Sequence, residues 1–143
     1  MTRRLIRGLL CTGVLALGSC NIPGRAYPVA PAISGVVLQA GTPVTRGEVR
    51  RTFRSRDVPT VCGGEVAQLG PDGRFRFDSV ATEVAGREYG KSYFVSLCLQ
   101  TDDDHIQLWF HEYDRRRLPQ RVYLRCELLM GSRESELPCE LGE

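Results

Sequence analysis

The stretch Gly70-Pro71-Asp72-Gly73-Arg74-Phe75-Arg76-Phe77 decides how this chain folds. Pro71 presets φ and Gly73 supplies a positive φ, so the first four residues make a tight turn. Directly after it, Phe75 and Phe77 alternate with Arg74 and Arg76, a period of two that belongs to a strand with one dry face. With residues 65–69 ahead of the turn, the pattern predicts a hairpin over 65–78 and places both phenylalanines in the core.

The same logic extends in both directions. Residues 33–40 (ISGVVLQA) are a mostly apolar run ended by the turn residues Gly41-Thr42-Pro43. In 47–54 (GEVRRTFR), Val49 and Phe53 share one face while Glu48, Arg50, Thr52 and Arg54 share the other. Residues 92–100 (SYFVSLCLQ) are strongly apolar, and Asp102-Asp103-Asp104 turns the chain into 106–110 (IQLWF). A last run, 121–129 (RVYLRCELL), puts Val122, Leu124, Cys126 and Leu128 on one side. No stripe at helical spacing competes: residues 80–88 are too polar and glycine-marked to form one. About seven strands with turns at short intervals predict an all-β, antiparallel sandwich over residues 33–143.

The residues also carry a resemblance. Ser34-Gly35-Val36-Val37 with Gly41-Thr42-Pro43-Val44, then Glu48-Val49, then the Gly70–Phe77 stretch, resemble the carboxypeptidase regulatory-like, transthyretin-like (prealbumin-like) β-sandwich family in order and spacing. The resemblance covers residue 33 to about 80. It departs at Arg46-Gly47-Glu48, where the family shows a Gly-Ala pair, and in a long insert before the Asp-Gly turn. It implies the fold and no activity, because its motif consists of turn and core residues.

Ahead of the domain, residues 1–7 carry Arg3, Arg4 and Arg7, and 9–17 (LLCTGVLAL) are apolar, followed by Gly18, Ser19 and Cys20. A basic start and a short apolar run fit a signal peptide over 1–19 and fall short of the roughly 20 residues a spanning helix needs. Leu17-Gly18-Ser19-Cys20 resembles the bacterial lipobox, which implies cleavage before Cys20 and lipidation of its thiol. Several acyl chains would hold the protein on a membrane stably, as a single chain does not. Asn21, rather than Asp, resembles the outer-membrane default, which implies a periplasm-facing location. Residues 20–32, with Pro23, Pro28 and Pro31, are expected to form a flexible, extended tether. Once the leader is removed, three of the 19 basic side chains go with it and sixteen face 17 acidic ones. A near-neutral domain lacks the basic footprint of a nucleic-acid binder.

Cys62, Cys98, Cys126 and Cys139 remain, an even number that in an oxidising compartment predicts two disulfides with three possible connectivities. Cys62–Cys98 with Cys126–Cys139 is the preferred pairing, since a short C-terminal tail is easily stapled back. No C-x-x-C or C-x-x-H half-site points to a metal. His105 and His111, taken on one regular strand, share a face about 20 Å apart, too far to ligate one ion. His111-Glu112 begins like a zinc-protease motif, but position 115 is arginine. No nucleophile elbow, phosphate loop or dinucleotide fingerprint occurs.

What remains is a candidate partner-binding patch. Trp109 or Phe110 must point outward from a one-sided sheet, and Tyr113 with Arg115, Arg116 and Arg117 follows, the composition of a recognition surface. Burial of Trp109 under a second sheet and a solvated arginine loop are the competing readings. The expectation is a non-catalytic, lipid-anchored β-sandwich that takes no cofactor and binds an envelope protein or glycan. Alternatives are an accessory component of an envelope or secretion machine, like type VI secretion lipoproteins, and a periplasmic hydrolase with an unrecognised site.

Overall fold

The computed structural model describes residues 27–54, 62–82, 92–102, 104–129 and 137–142. The leader, the lipobox with Cys20 and the first part of the expected tether lie outside the described residues. Among the described residues the chain is all-β: β1 (Tyr27–Ala30), β2 (Ala32–Gln39), β3 (Thr42–Pro43), β4 (Glu48–Arg54), β5 (Glu65–Gln68), β6 (Arg74–Phe77), β7 (Val80–Thr82), β8 (Ser92–Gln100), β9 (His105–Asp114), β10 (Arg121–Leu128) and β11 (Cys139–Leu141). A single 3-10 turn, Arg115–Arg117, joins β9 to β10. Each of the seven predicted segments is a strand, and the short β1, β3, β7 and β11 are additional.

Two layers form. One runs β5-β4-β8-β9, antiparallel throughout. The other runs β11-β10-β2, with β6 and β3 sharing the far side of β2. Here one pairing departs from the antiparallel expectation: β2 and β10 are parallel over their whole length, from Ala32 opposite Arg121 to Gln39 opposite Leu128. They are the first and last long strands, so no hairpin dictates their relative direction, and a long path through the other layer permits a parallel neighbour.

The turn that decides the fold does so differently from a hairpin. Its hydrogen bonds form, Gly73 N to Gly70 O at 2.9 Å and Gly70 N to Arg74 O at 2.9 Å. The flanking strands then separate: β5 pairs with β4 in one layer and β6 with β2 in the other. Gly70–Gly73 is therefore a corner between sheets. Gly73 has φ 73°, and a Cβ there would sit 2.6 Å from Val37 O, so glycine is required twice over.

The core lies between the layers. Ile33, Val37, Phe75, Phe77, Val122 and Leu124 meet Val49, Val95, Leu97, Leu99 and Leu108. Gly35 sits opposite Phe75 in register, and the phenylalanine ring occupies the space where a Cβ on Gly35 would lie. At one end β1 and β7 make a two-stranded ribbon, with Val29, Ala30 and Pro31 buried. Residues 27–32 of the expected tether are thus part of the folded domain, because the consecutive apolar residues Val29, Ala30 and Pro31 are buried there.

Candidate functional site

The two aromatic residues of the sequence-predicted patch are core. Trp109 is 5 % exposed and Tyr113 7 %, and both belong to the hydrophobic cluster. The reason is a β-bulge: Leu97 faces Trp109 but Cys98 faces Gln107, so Leu108 is an extra residue and both Leu108 and Trp109 are buried. Beyond the bulge Trp109, His111 and Tyr113 line one side of β9, with Trp109 and His111 stacked at 5.5 Å. Phe110 turns to the other side and stacks on Phe94 at 5.6 Å. The bulge also reverses the phase between His105 and His111, so these histidines lie on opposite faces rather than sharing one.

The buried Tyr113 phenol is pushed up to about 12 by desolvation. Arg116 and Arg117 are exposed, on a turn held by Asp114, whose carboxylate accepts from Arg116 N at 2.8 Å. The four cysteines pair as Cys62–Cys98 and Cys126–Cys139, the latter directly opposite each other on β10 and β11. Among the described residues no group of three His, Cys, Asp or Glu side chains converges to hold a metal.

Arg51 was hidden by its neighbours. It lies between Val49 and Phe53 on the core face of β4 and is 1 % exposed. Its Nη1 donates to Pro31 O at 2.9 Å and its Nη2 to Asp78 O at 2.8 Å, while Nε donates to Glu65 at 2.6 Å. The guanidinium also lies over the Phe77 ring at 4.8 Å. One side chain thereby ties β4 and β5 to the other layer at the β1 end. Its sequence signal was an arginine at the central inward position of a strand.

The exposed side of the β6-β2-β10 layer is where recognition chemistry collects. Outward from β2 point the small residues Ala32, Ser34 and Val36. Ser34 stands between Arg76 on β6 and Tyr123 on β10, and Val36 between Arg74 and Arg125. The result is a shallow floor of small side chains flanked by arginines and one tyrosine, Tyr123, that is 40 % exposed. A cavity of about 540 Å³ reaches from Ser34, Arg74, Arg76 and Tyr123 round the β6 edge to Ala67 and Gln68 on β5. A smaller one of about 170 Å³ lies over Ala32, Ser34, Arg76 and Arg121. Exposed pairs Arg74–Asp72 at 3.2 Å and Arg76–Asp78 at 3.3 Å leave the guanidinium groups accessible, since such pairs contribute little. Arg121 has no carboxylate partner among the described residues.

Charge is also mildly sorted along the strands among the described residues. At the end where β2 and β10 begin, exposed Arg76, Arg116, Arg117 and Arg121 stand against Asp78, Glu112 and Asp114, and buried Arg51 is paired with Glu65. At the opposite end Glu48, Asp72, Asp102, Asp104, Glu127 and Glu140 stand against Arg46, Arg50, Arg74 and Arg125. The chain enters at the basic pole: Pro28, Ala30 and Pro31 share a cavity of about 710 Å³ with Arg76 and Arg121. No protein-family model, curated protein or solved structure matches this chain.

Proposed function

We propose that this chain is a lipid-anchored lipoprotein of the bacterial envelope, attached through Cys20 and facing the periplasm from the outer membrane. Its domain, in this reading, is a transthyretin-like sandwich that binds an envelope protein or glycan without catalysis. The observation that carries the anchor is the leader itself: three arginines, a short apolar run and Leu17-Gly18-Ser19-Cys20, directly ahead of a domain whose four cysteines are all paired.

The transthyretin-like reading is supported by the way its motif residues come together. Gly35 faces Phe75, Val37 N donates to Gly73 O at 2.9 Å, and Pro43 packs beside Gly73. Segments about 30 to 40 residues apart in sequence thus build one corner, which gives a physical reason for their joint occurrence. The binding reading is supported by the tyrosine and arginines over the floor of Ala32, Ser34 and Val36, since exposed Tyr and Arg dominate recognition surfaces.

Metabolic labelling with palmitate tests the anchor. The wild-type protein is expected to take up label and fractionate with membranes, and Cys20→Ala to lose both; a Cys20→Ala protein that is still cleaved and membrane-bound overturns the lipobox reading. For the binding face, Tyr123→Ala with Arg76→Ala should reduce cross-linking to envelope components about tenfold or more while leaving thermal unfolding unchanged.

A further inference from the structure

We infer that the basic pole of the sandwich, carrying Arg116, Arg117 and Arg121, docks on the anionic head groups of the bilayer. This rests on the anchor at Cys20 proposed above and adds an orientation to it. Two independent features point the same way. The first is chain length: β1 begins at Tyr27, seven residues after Cys20, and fully extended these span at most about 25 Å. The domain therefore hangs close to the membrane by its β1 end rather than standing off on a long tether.

The second is charge. The 3-10 turn Arg115–Arg117 leads through Leu118, Pro119 and Gln120 to Arg121, and these last four residues line the cavity that Pro28, Ala30 and Pro31 also line. The entry point of the chain and the arginines thus share one end of the molecule. Arg116, Arg117 and Arg121 are exposed, and among the described residues carboxylates outnumber arginines at the far pole. A dipolar domain tethered by its positive end to a surface bearing phosphates is drawn down by that end and its negative end is repelled. Guanidinium groups pair with phosphate oxygens in a bidentate fork, which suits this surface better than a point charge would. Docked in this way, the floor starts at Ala32 beside the docked Arg121 and runs away from the bilayer, leaving Ser34 and Val36 open to a second partner.

Arginine-selective labelling tests this on the intact lipidated protein, reconstituted in vesicles of phosphatidylcholine with or without phosphatidylglycerol and read peptide by peptide by mass spectrometry. In the anionic vesicles Arg116, Arg117 and Arg121 should label roughly threefold or more slowly, Arg46 should not change, and molar salt should abolish the difference, because screening then shrinks to about 3 Å. In the Arg116→Glu, Arg117→Glu double variant the lipid dependence at Arg121 should vanish. Equal labelling in both vesicles, or protection of Arg46 and Arg74 instead, overturns the docking while leaving the anchor intact. An intact mass without a diacylglyceryl group on Cys20 overturns the anchor, and this inference with it.

Discussion

Arg51 illustrates how a buried charge is tolerated when each of its three nitrogens donates. Its partners are two main-chain carbonyls, the Glu65 carboxylate and an aromatic face. Arg51→Met would leave the buried Pro31 O without its donor and release the part-buried Asp78 O, and an unpaired buried acceptor costs about 1–3 kcal/mol. Urea unfolding is expected to show a loss on the order of 3 kcal/mol. Arg51→Lys should not recover it, because one ammonium cannot reach three acceptors in a fork. A loss below about 1 kcal/mol would mean that the guanidinium does not hold the two layers together.

Tyr113 makes a prediction in pH. Its folded-state pKa, about 12, lies above the ordinary phenol value of 10, so the folded state keeps its proton where the unfolded chain has lost it. Unfolding then releases a proton between those values, and the stabilisation present below pH 10 is lost as the pH rises towards 12. Chemical denaturation across that range should show falling stability, and Tyr113→Phe should flatten the fall. Parallel curves for the two proteins would assign the alkaline loss to other groups.

Between elements, a tight constraint lies at Gly35, where β2 meets both β6 and β10. A Cβ on Gly35 would come within 2.6 Å of Leu124 O and 2.8 Å of the Phe75 ring, so Gly35→Ala strains both the contact with the parallel β10 and that with the aromatic ring. Overpacking of this kind typically costs about 1–3 kcal/mol. Pairing the substitution with Phe75→Leu should relieve the ring contact and show non-additive stability in a double-mutant cycle. Strict additivity would place the cost at Leu124 O alone. The strands themselves were legible because alternation needs only local sequence: RFRF reads as a strand whatever it pairs with. Their partners were not, because the Gly70–Gly73 turn has the same residue chemistry whether it joins neighbours in one sheet or bends the chain from one sheet to the next. The bulge at Leu108 was equally silent, since an extra residue in β9 has meaning only against the register of β8.

On the scale of the whole molecule, two disulfides close a small domain at different places. Cys62–Cys98 staples the segment ahead of β5 to central strand β8, and Cys126–Cys139 pins the C-terminal β11 to β10. Loops of 36 and 13 residues are each expected to contribute on the order of 3–4 kcal/mol. Cys126→Ser with Cys139→Ser should lower the unfolding midpoint, and peptide mapping without reduction should recover these two linkages. Any crossed pair would contradict the arrangement of β10 and β11.

The sequence by itself determined the all-β class, seven of the strands, the turn chemistry and the even set of cysteines, because period, φ preference and residue count are local properties. Only the tertiary structure decided which strands share a layer, that β2 and β10 run parallel, and that Trp109 and Tyr113 lie inside while Tyr123 and its arginines lie outside. Those outcomes depend on register and on which face meets the second sheet, and both are set by contacts between residues far apart in the chain.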